Sequence, residues 1–252
     1  GITGSNLDFF LGGSAVNTFA SSTTSTISGT ALDLRQTQGV TFNVEAGTTS
    51  SGVDLEVSSM LTNKAPSATG PGTGTSYGNN PLIKTGAGLM KLTGASNHTG
   101  NTTLNGGTLD LTSGQLYTGG YQSAAIVTIN TGAVLRINNF AYNETVGSAA
   151  SLGGLRDYAA ARVINGGTLE VTGATHTAGN DFTIGANGGT FRYNPAVSTS
   201  TLTLSGNANS NIPLAGTLTL DAVGNVTIGE IVEGAGSLTK TGSASLILSN
   251  IT

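Results

Sequence analysis

Two carboxylate pairs, Asp54/Glu56 and Glu230/Glu233, have the spacing that acid–base chemistry could use. Glycoside hydrolysis, for instance, needs two carboxyls facing one cleft. Asp54 and Glu56 share a strand face, and Glu230 and Glu233 sit near a turn. Neither pair has further acids and a basic partner beside it, so a polysaccharide-degrading or carbohydrate-binding β-helix protein is the alternative reading and not the first. The two histidines, His98 and His176, lie in turn-like stretches, Asn97-His98-Thr99 and Thr175-His176-Thr177. A metal site wants His with Cys, His or carboxylate at short spacing. Neither has that, so both read as surface turn residues, and no metal or cofactor is expected. Gly106-Gly107-Thr108-Leu109-Asp110 lacks the third glycine of a calcium-binding repeat and places its Asp wrongly. No phosphate-binding glycine loop and no Gly-x-Ser-x-Gly nucleophile turn occurs.

The aromatic residues give the one positive lead toward a ligand. Tyr117, Tyr121, Phe140, Tyr142 and Tyr158 fall in one region, in a chain with only six Tyr and seven Phe. Exposed rings bind sugar faces and protein partners; the plainer reading packs them onto the body of the protein. Surface glycans and host or partner proteins are the ligand classes this lead suggests.

The rest of the composition excludes more than it offers. Charged residues make up 9% of the chain against an ordinary 25% or so, and 39 residues are Gly. The net charge of −4 with nine scattered basic residues leaves no footprint for nucleic acid or a membrane surface. No run approaches the roughly 18 apolar residues of a membrane-spanning helix.

What must position these side chains is a series of short strands. Apolar residues arrive as i, i+2 pairs, among them Leu55/Val57, Met90/Leu92, Leu109/Leu111, Leu135/Ile137, Leu169/Val171 and Phe191/Tyr193. Period two means strands with one face buried. Asn-Gly phrases separate them, as at Asn105-Gly106-Gly107, Asn165-Gly166-Gly167 and Asn187-Gly188-Gly189. Hairpins, a sandwich or a barrel would fit such turns. Recurrence of one phrase at one point of each unit favours stacked coils, and the expected fold is all-β, a right-handed parallel β-helix. About 20 residues per coil predicts about 12 coils and a rod on the order of 60 Å, at ~4.8 Å per coil. Lys84-Thr85-Gly86 and Lys240-Thr241-Gly242, each followed by an apolar pair, read as equivalent points of the array.

The residue inside each apolar pair should face solvent at the same place on every coil. Those positions are Glu56, Lys91, Asp110, Arg136, Glu170 and Arg192, with alternating sign. This predicts an external charge ladder that pins register. Asn105, Asn130 and Asn165 are expected to stack at one corner. Residues 64–81, rich in Pro and Gly, and residues 112–162, with room for a short helix within 139–162, read as excursions from a single body spanning 1–252.

Leu82 to Leu109 resembles a complete passenger-associated (autotransporter-associated) β-strand repeat, through Lys84, Gly86, Gly88, Met90, Leu92, Gly94, Asn97, Gly100, Leu104, Asn105, Gly107 and Leu109. Residues 234–249 resemble the opening of a second copy through Lys240, Gly242, Leu246 and Leu248. His98-Thr99 stands where the family often has Tyr, and Ala244 replaces a glycine. The resemblance implies large bacterial surface or secreted proteins delivered through an outer-membrane barrel. The expected role is non-enzymatic, a stalk, adhesin or fibre. The expected partners are further repeats of the same parent chain or other copies stacked end to end, without membrane insertion by this segment.

Overall fold

The computed structural model describes residues 2–9, 15–34, 38–63, 79–117, 125–140, 152, 159–179, 181–205 and 211–249. Every strand pairing is parallel, and the strands form three sheets wound as successive coils. Sheet 1 is ten strands deep along its path, from Ile2–Phe9 through Leu89–Leu92, Gly107–Leu111, Ala133–Ile137 and Thr168–Val171 to Leu238–Thr241. Sheet 2 runs nine strands, from Ala15–Thr18 to Ile231–Gly234. Sheet 3 has four, His176–Ala178, Thr201–Leu204, Asn225–Ile228 and Leu246–Leu248. The chain is a parallel β-helix, as its pattern predicts. Among the described residues ten coils stack in sheet 1 against the expected 12, because coil length varies: Met90 pairs with Leu109, 19 residues on, whereas Leu55 pairs with Met90, 35 residues on. At ~4.8 Å per coil, sheet 1 is about 45 Å deep.

The core follows from the period. Within each strand alternate side chains point inward, and parallel register stacks them into columns such as Leu109–Leu135–Leu169–Phe191–Leu220. All of these are at most 1% exposed. Burying a side chain of this size stabilises by about 1.5–3 kcal/mol. The apolar pairs named above are buried, while Leu246 and Leu248 on the last strand of sheet 3 are not. One 3-10 turn, Ala159–Ala161, lies in the stretch where a short helix was expected. No helix among the described residues is long and apolar enough to cross a membrane.

The two Lys-Thr-Gly copies sit at different corners, which corrects the reading of equivalence. Lys84 ends a sheet 2 strand, Leu82–Thr85, and the chain turns into sheet 1. Lys240 ends a sheet 1 strand, Leu238–Thr241, and the chain turns into sheet 3. What repeats is a way of turning. Gly86 and Gly242 both take positive φ, 74° and 77°, where L side chains are strained. A Cβ at either would also collide with a carbonyl of the preceding coil, Val44 or Ala222.

Candidate functional site

The ladder exists, and each of its six positions lies directly opposite the next in sheet 1. The register is Glu56↔Lys91, Lys91↔Asp110, Asp110↔Arg136, Arg136↔Glu170 and Glu170↔Arg192. It continues one step further, to Asp221 opposite Arg192. The Arg136 guanidinium bridges two coils, with Nε donating to Glu170 Oε2 at 2.9 Å and Nη1 facing Asp110 Oδ2 at 3.5 Å. Arg192 Nε donates to Asp221 Oδ2 at 2.8 Å. The carboxylates are further held, Asp110 from its own coil and Glu170 from the next. Asp110 Oδ1 accepts from the Thr112 amide and hydroxyl at 2.8 and 2.7 Å, and Glu170 Oε1 from Asn194 at 3.1 Å. Burial opposes the charge on Arg136, but its hydrogen bond to Glu170 and the fields of Glu170 and Asp110 outweigh that and raise its pKa.

A second ladder follows the corner from sheet 2 to sheet 1. Asn130 Nδ2 donates to Asn105 Oδ1 at 2.8 Å, and Asn165 Nδ2 donates to Asn130 Oδ1 at 3.4 Å. Asn165 Oδ1 then accepts from the Asn187 backbone amide at 3.3 Å. Thr85 and Asn43 make the same kind of contact, 3.1 Å, earlier in the column.

Lys84 occupies an inward position, flanked in register by Phe42 and Leu104, and is fully buried. Its ammonium donates to the carbonyls of Thr85, Gly86 and Gly106 at 2.8, 3.0 and 3.1 Å, so one cation ties two coils at the corner. Burial pulls its pKa down to about 8, with Asp54 and Glu45 pulling the other way. Lys240 curls back onto Thr241 and Gly242 in the same manner.

The residues suggested for catalysis or ligand contact are otherwise engaged. Asp54 accepts two backbone amides, Gly47 at 2.8 Å and Leu89 at 2.7 Å, while Glu56 belongs to the ladder. Glu230 is buried and Glu233 is exposed, accepting from Asn211. Among the described residues no group of three or more His, Cys, Asp or Glu side chains is placed to hold a metal.

Tyr117 and Phe140 are both fully buried, so neither presents a ring face to a ligand. Tyr117 packs on His98 with ring centroids 4.9 Å apart and bonds Thr102 Oγ1 at 2.8 Å and the Gly100 carbonyl at 3.2 Å. Phe140 meets Phe191 edge-on at 5.8 Å and lies near Phe182. Tyr121, Tyr142 and Tyr158 lie outside the described residues, as do residues 64–78 of the first excursion. The histidines also differ from expectation. His98 is completely buried, its pKa lowered to about 4 by loss of water. His176 begins a strand of sheet 3 and is held by the Ala174 carbonyl at 2.6 Å.

One open concavity remains near these residues. A depression of about 280 Å³ is lined by Thr93, Thr112, Ser113, Gln115 and Asn138 among others, and it meets a second of about 180 Å³ at Asn138, reaching His176. Among the described residues its walls carry hydroxyls, amides and an imidazole but no acid, lysine or arginine.

Residues 82–111 match the family model of the passenger-associated-transport-repeat. No curated protein and no solved structure matches the chain. The matched repeat supplies the strands Leu82–Thr85, Leu89–Leu92, Thr102–Leu104 and Gly107–Leu111, about one and a half coils. It also contains Lys84 and all three carbonyls that hold it. Residues 82–111 are thus similar to a passenger-associated-transport-repeat, and they lie within the stack of parallel coils.

Proposed function

We propose that the chain is a non-enzymatic rod of a bacterial surface or extracellular protein, a stalk or fibre segment that holds its excursions away from the cell. The observation that carries this is the ladder from Glu56 to Asp221. Seven of the 22 acidic and basic side chains form one file along sheet 1, where they lock coil to coil, rather than gathering in a cleft. Stiffness follows, since successive coils are hydrogen-bonded along sheets 1 and 2, and from His176 onward along sheet 3 as well.

A second reading, head-to-tail stacking of copies into a filament, is favoured by the all-parallel stack, whose register a second copy could continue. Unpaired strand edges template further strands. A glycan-binding role is favoured by the neutral, hydroxyl- and amide-lined depression at Asn138.

Electron microscopy of the purified protein across a concentration series separates the first two. Isolated rods at every concentration support the stalk segment, and filaments that lengthen with concentration support stacking. Round particles with no long axis would sink both.

A further inference from the structure

The sequence contains three Asn-Gly pairs, Asn105-Gly106, Asn165-Gly166 and Asn187-Gly188, each followed by a second glycine. In all three the backbone nitrogen after Asn is unshielded by a Cβ, the condition under which Asn most readily loses its side-chain amide. The local sequences are nearly the same, so differences in reactivity must come from the fold.

We propose that Asn187 is a site of spontaneous deamidation, and that the corner ladder protects its two counterparts. In the reaction, the backbone nitrogen of Gly188 attacks Cγ of Asn187 and closes a five-membered succinimide. The bond from Cγ to Nδ2 breaks, the proton lost from Gly188 N–H passes through solvent to Nδ2, and that nitrogen leaves as ammonia. Water then opens the ring to aspartate or isoaspartate, and the second product inserts one carbon into the main chain.

Ring closure needs the attacking nitrogen and Cγ within about 3–3.5 Å and aligned. Asn105 is held away from that pose by its bond from Asn130 Nδ2 at 2.8 Å. Asn165 is held at both ends, donating to Asn130 at 3.4 Å and accepting from the Asn187 amide at 3.3 Å. At Asn187 the ladder stops. Only its backbone takes part, and its side chain is exposed with no hydrogen bond among the described residues. The following coil turns through Gly216, stacked against Gly188, and offers no amide there. Gly188 N–H closes a turn on the Gly185 carbonyl at 2.9 Å, so reaction proceeds when that turn opens.

The consequence is local and structural. The corner carrying Asn187 joins Thr183–Ile184 of sheet 2 to Gly189–Tyr193 of sheet 1. It registers coils through Gly189 N–Thr217 O at 2.9 Å and Gly166 N–Gly188 O at 2.7 Å. An added main-chain carbon breaks that spacing, so isoaspartate at Asn187 marks where an ageing rod loosens.

The test is to age the purified chain in mildly alkaline buffer and quantify aspartate and isoaspartate at each site by peptide mapping. Asn187 is expected to convert about tenfold or more faster than Asn105 and Asn165, because misplacement of reacting atoms by 1 Å costs up to about 10²-fold. In a urea-unfolded sample the three rates should converge. Asn130→Ala should accelerate Asn105 and Asn165 while leaving Asn187 unchanged. If that variant does not fold, the folded and unfolded wild-type samples still decide. A folded-state rate at Asn187 no faster than at Asn105 overturns the proposal, as does a threefold order that persists in urea.

Discussion

Burial of single polar side chains is where this chain departs most from a simple apolar stack. His98 sits inside the coil with Tyr117 across its ring and Thr102 Oγ1 3.3 Å from Nε2, and its Nδ1 has no partner among the described residues. No charged side chain contributes to its shift, which comes from burial alone and lowers the pKa from 6.5 to about 4. Between those values the unfolded chain carries the proton and the folded chain does not. The contribution to stability is therefore full above about pH 6.5 and is lost as pH falls toward 4, by at most about 3 kcal/mol. His98→Gln should remove this acid loss while the wild type retains it, read as the urea midpoint across that pH range. Equal slopes for the two proteins would mean that His98 is not the titrating group. Tyr117 adds to the same cluster at φ 60°, the one non-glycine residue at positive φ among those described. Strain of that kind persists only where surrounding contacts over-determine it.

At the scale of elements, the charge ladder makes sheet 1 specific in register. A parallel strand that slipped by two residues would still bury Leu against Leu, but it would set Arg136 opposite the wrong neighbours. Each exposed pair contributes only about 0.2–1 kcal/mol, and Arg136 engages two carboxylates that are themselves mostly buried. Arg136→Met should cost about 1 kcal/mol in urea unfolding, and Arg136→Glu about 1–3 kcal/mol more, since it places three carboxylates in one file. Equal costs for the two substitutions would mean that the ladder's sign alternation carries no energy. The ladder was legible because strand alternation and sign alternation coincide in the sequence. Asp221 is harder to see because its strand reads Leu218-Thr219-Leu220-Asp221-Ala222, where small Ala222 hides the second member of the apolar pair around it. The corners were less legible. Gly at positive φ and a curled-back lysine suit any corner, so Lys84 and Lys240 look equivalent in sequence while serving different sheets. His98 and Tyr117 were misread for a related reason. Asn97-His98-Thr99-Gly100 has the grammar of an exposed turn, and only the next coil, bringing Tyr117 over it, makes it an interior.

The whole molecule is a stack in which each coil touches chiefly the coils before and after it, so its stability should be a sum over neighbours rather than a property of one centre. Leu135 tests this, because it lies mid-stack, 1% exposed, between Leu109 and Leu169. Leu135→Ala removes buried volume that the neighbouring coils cannot refill, at a cost of about 2–5 kcal/mol. In a globular domain that loss would lower protection of every slow amide together. In a stack it weakens two interfaces, and opening can begin there without involving the ends. Hydrogen exchange should therefore accelerate in Gly107–Leu111, Ala133–Ile137 and Thr168–Val171. Ser25–Leu34 and Leu218–Ala222, three or more coils away, should keep wild-type protection. A uniform acceleration across all five strands would show that the coils unfold as one cooperative unit. Retained protection at both ends would mean that damage stays where it falls, the property a long surface-exposed rod requires if one lesion, including an isoaspartate at a corner, is not to unravel it.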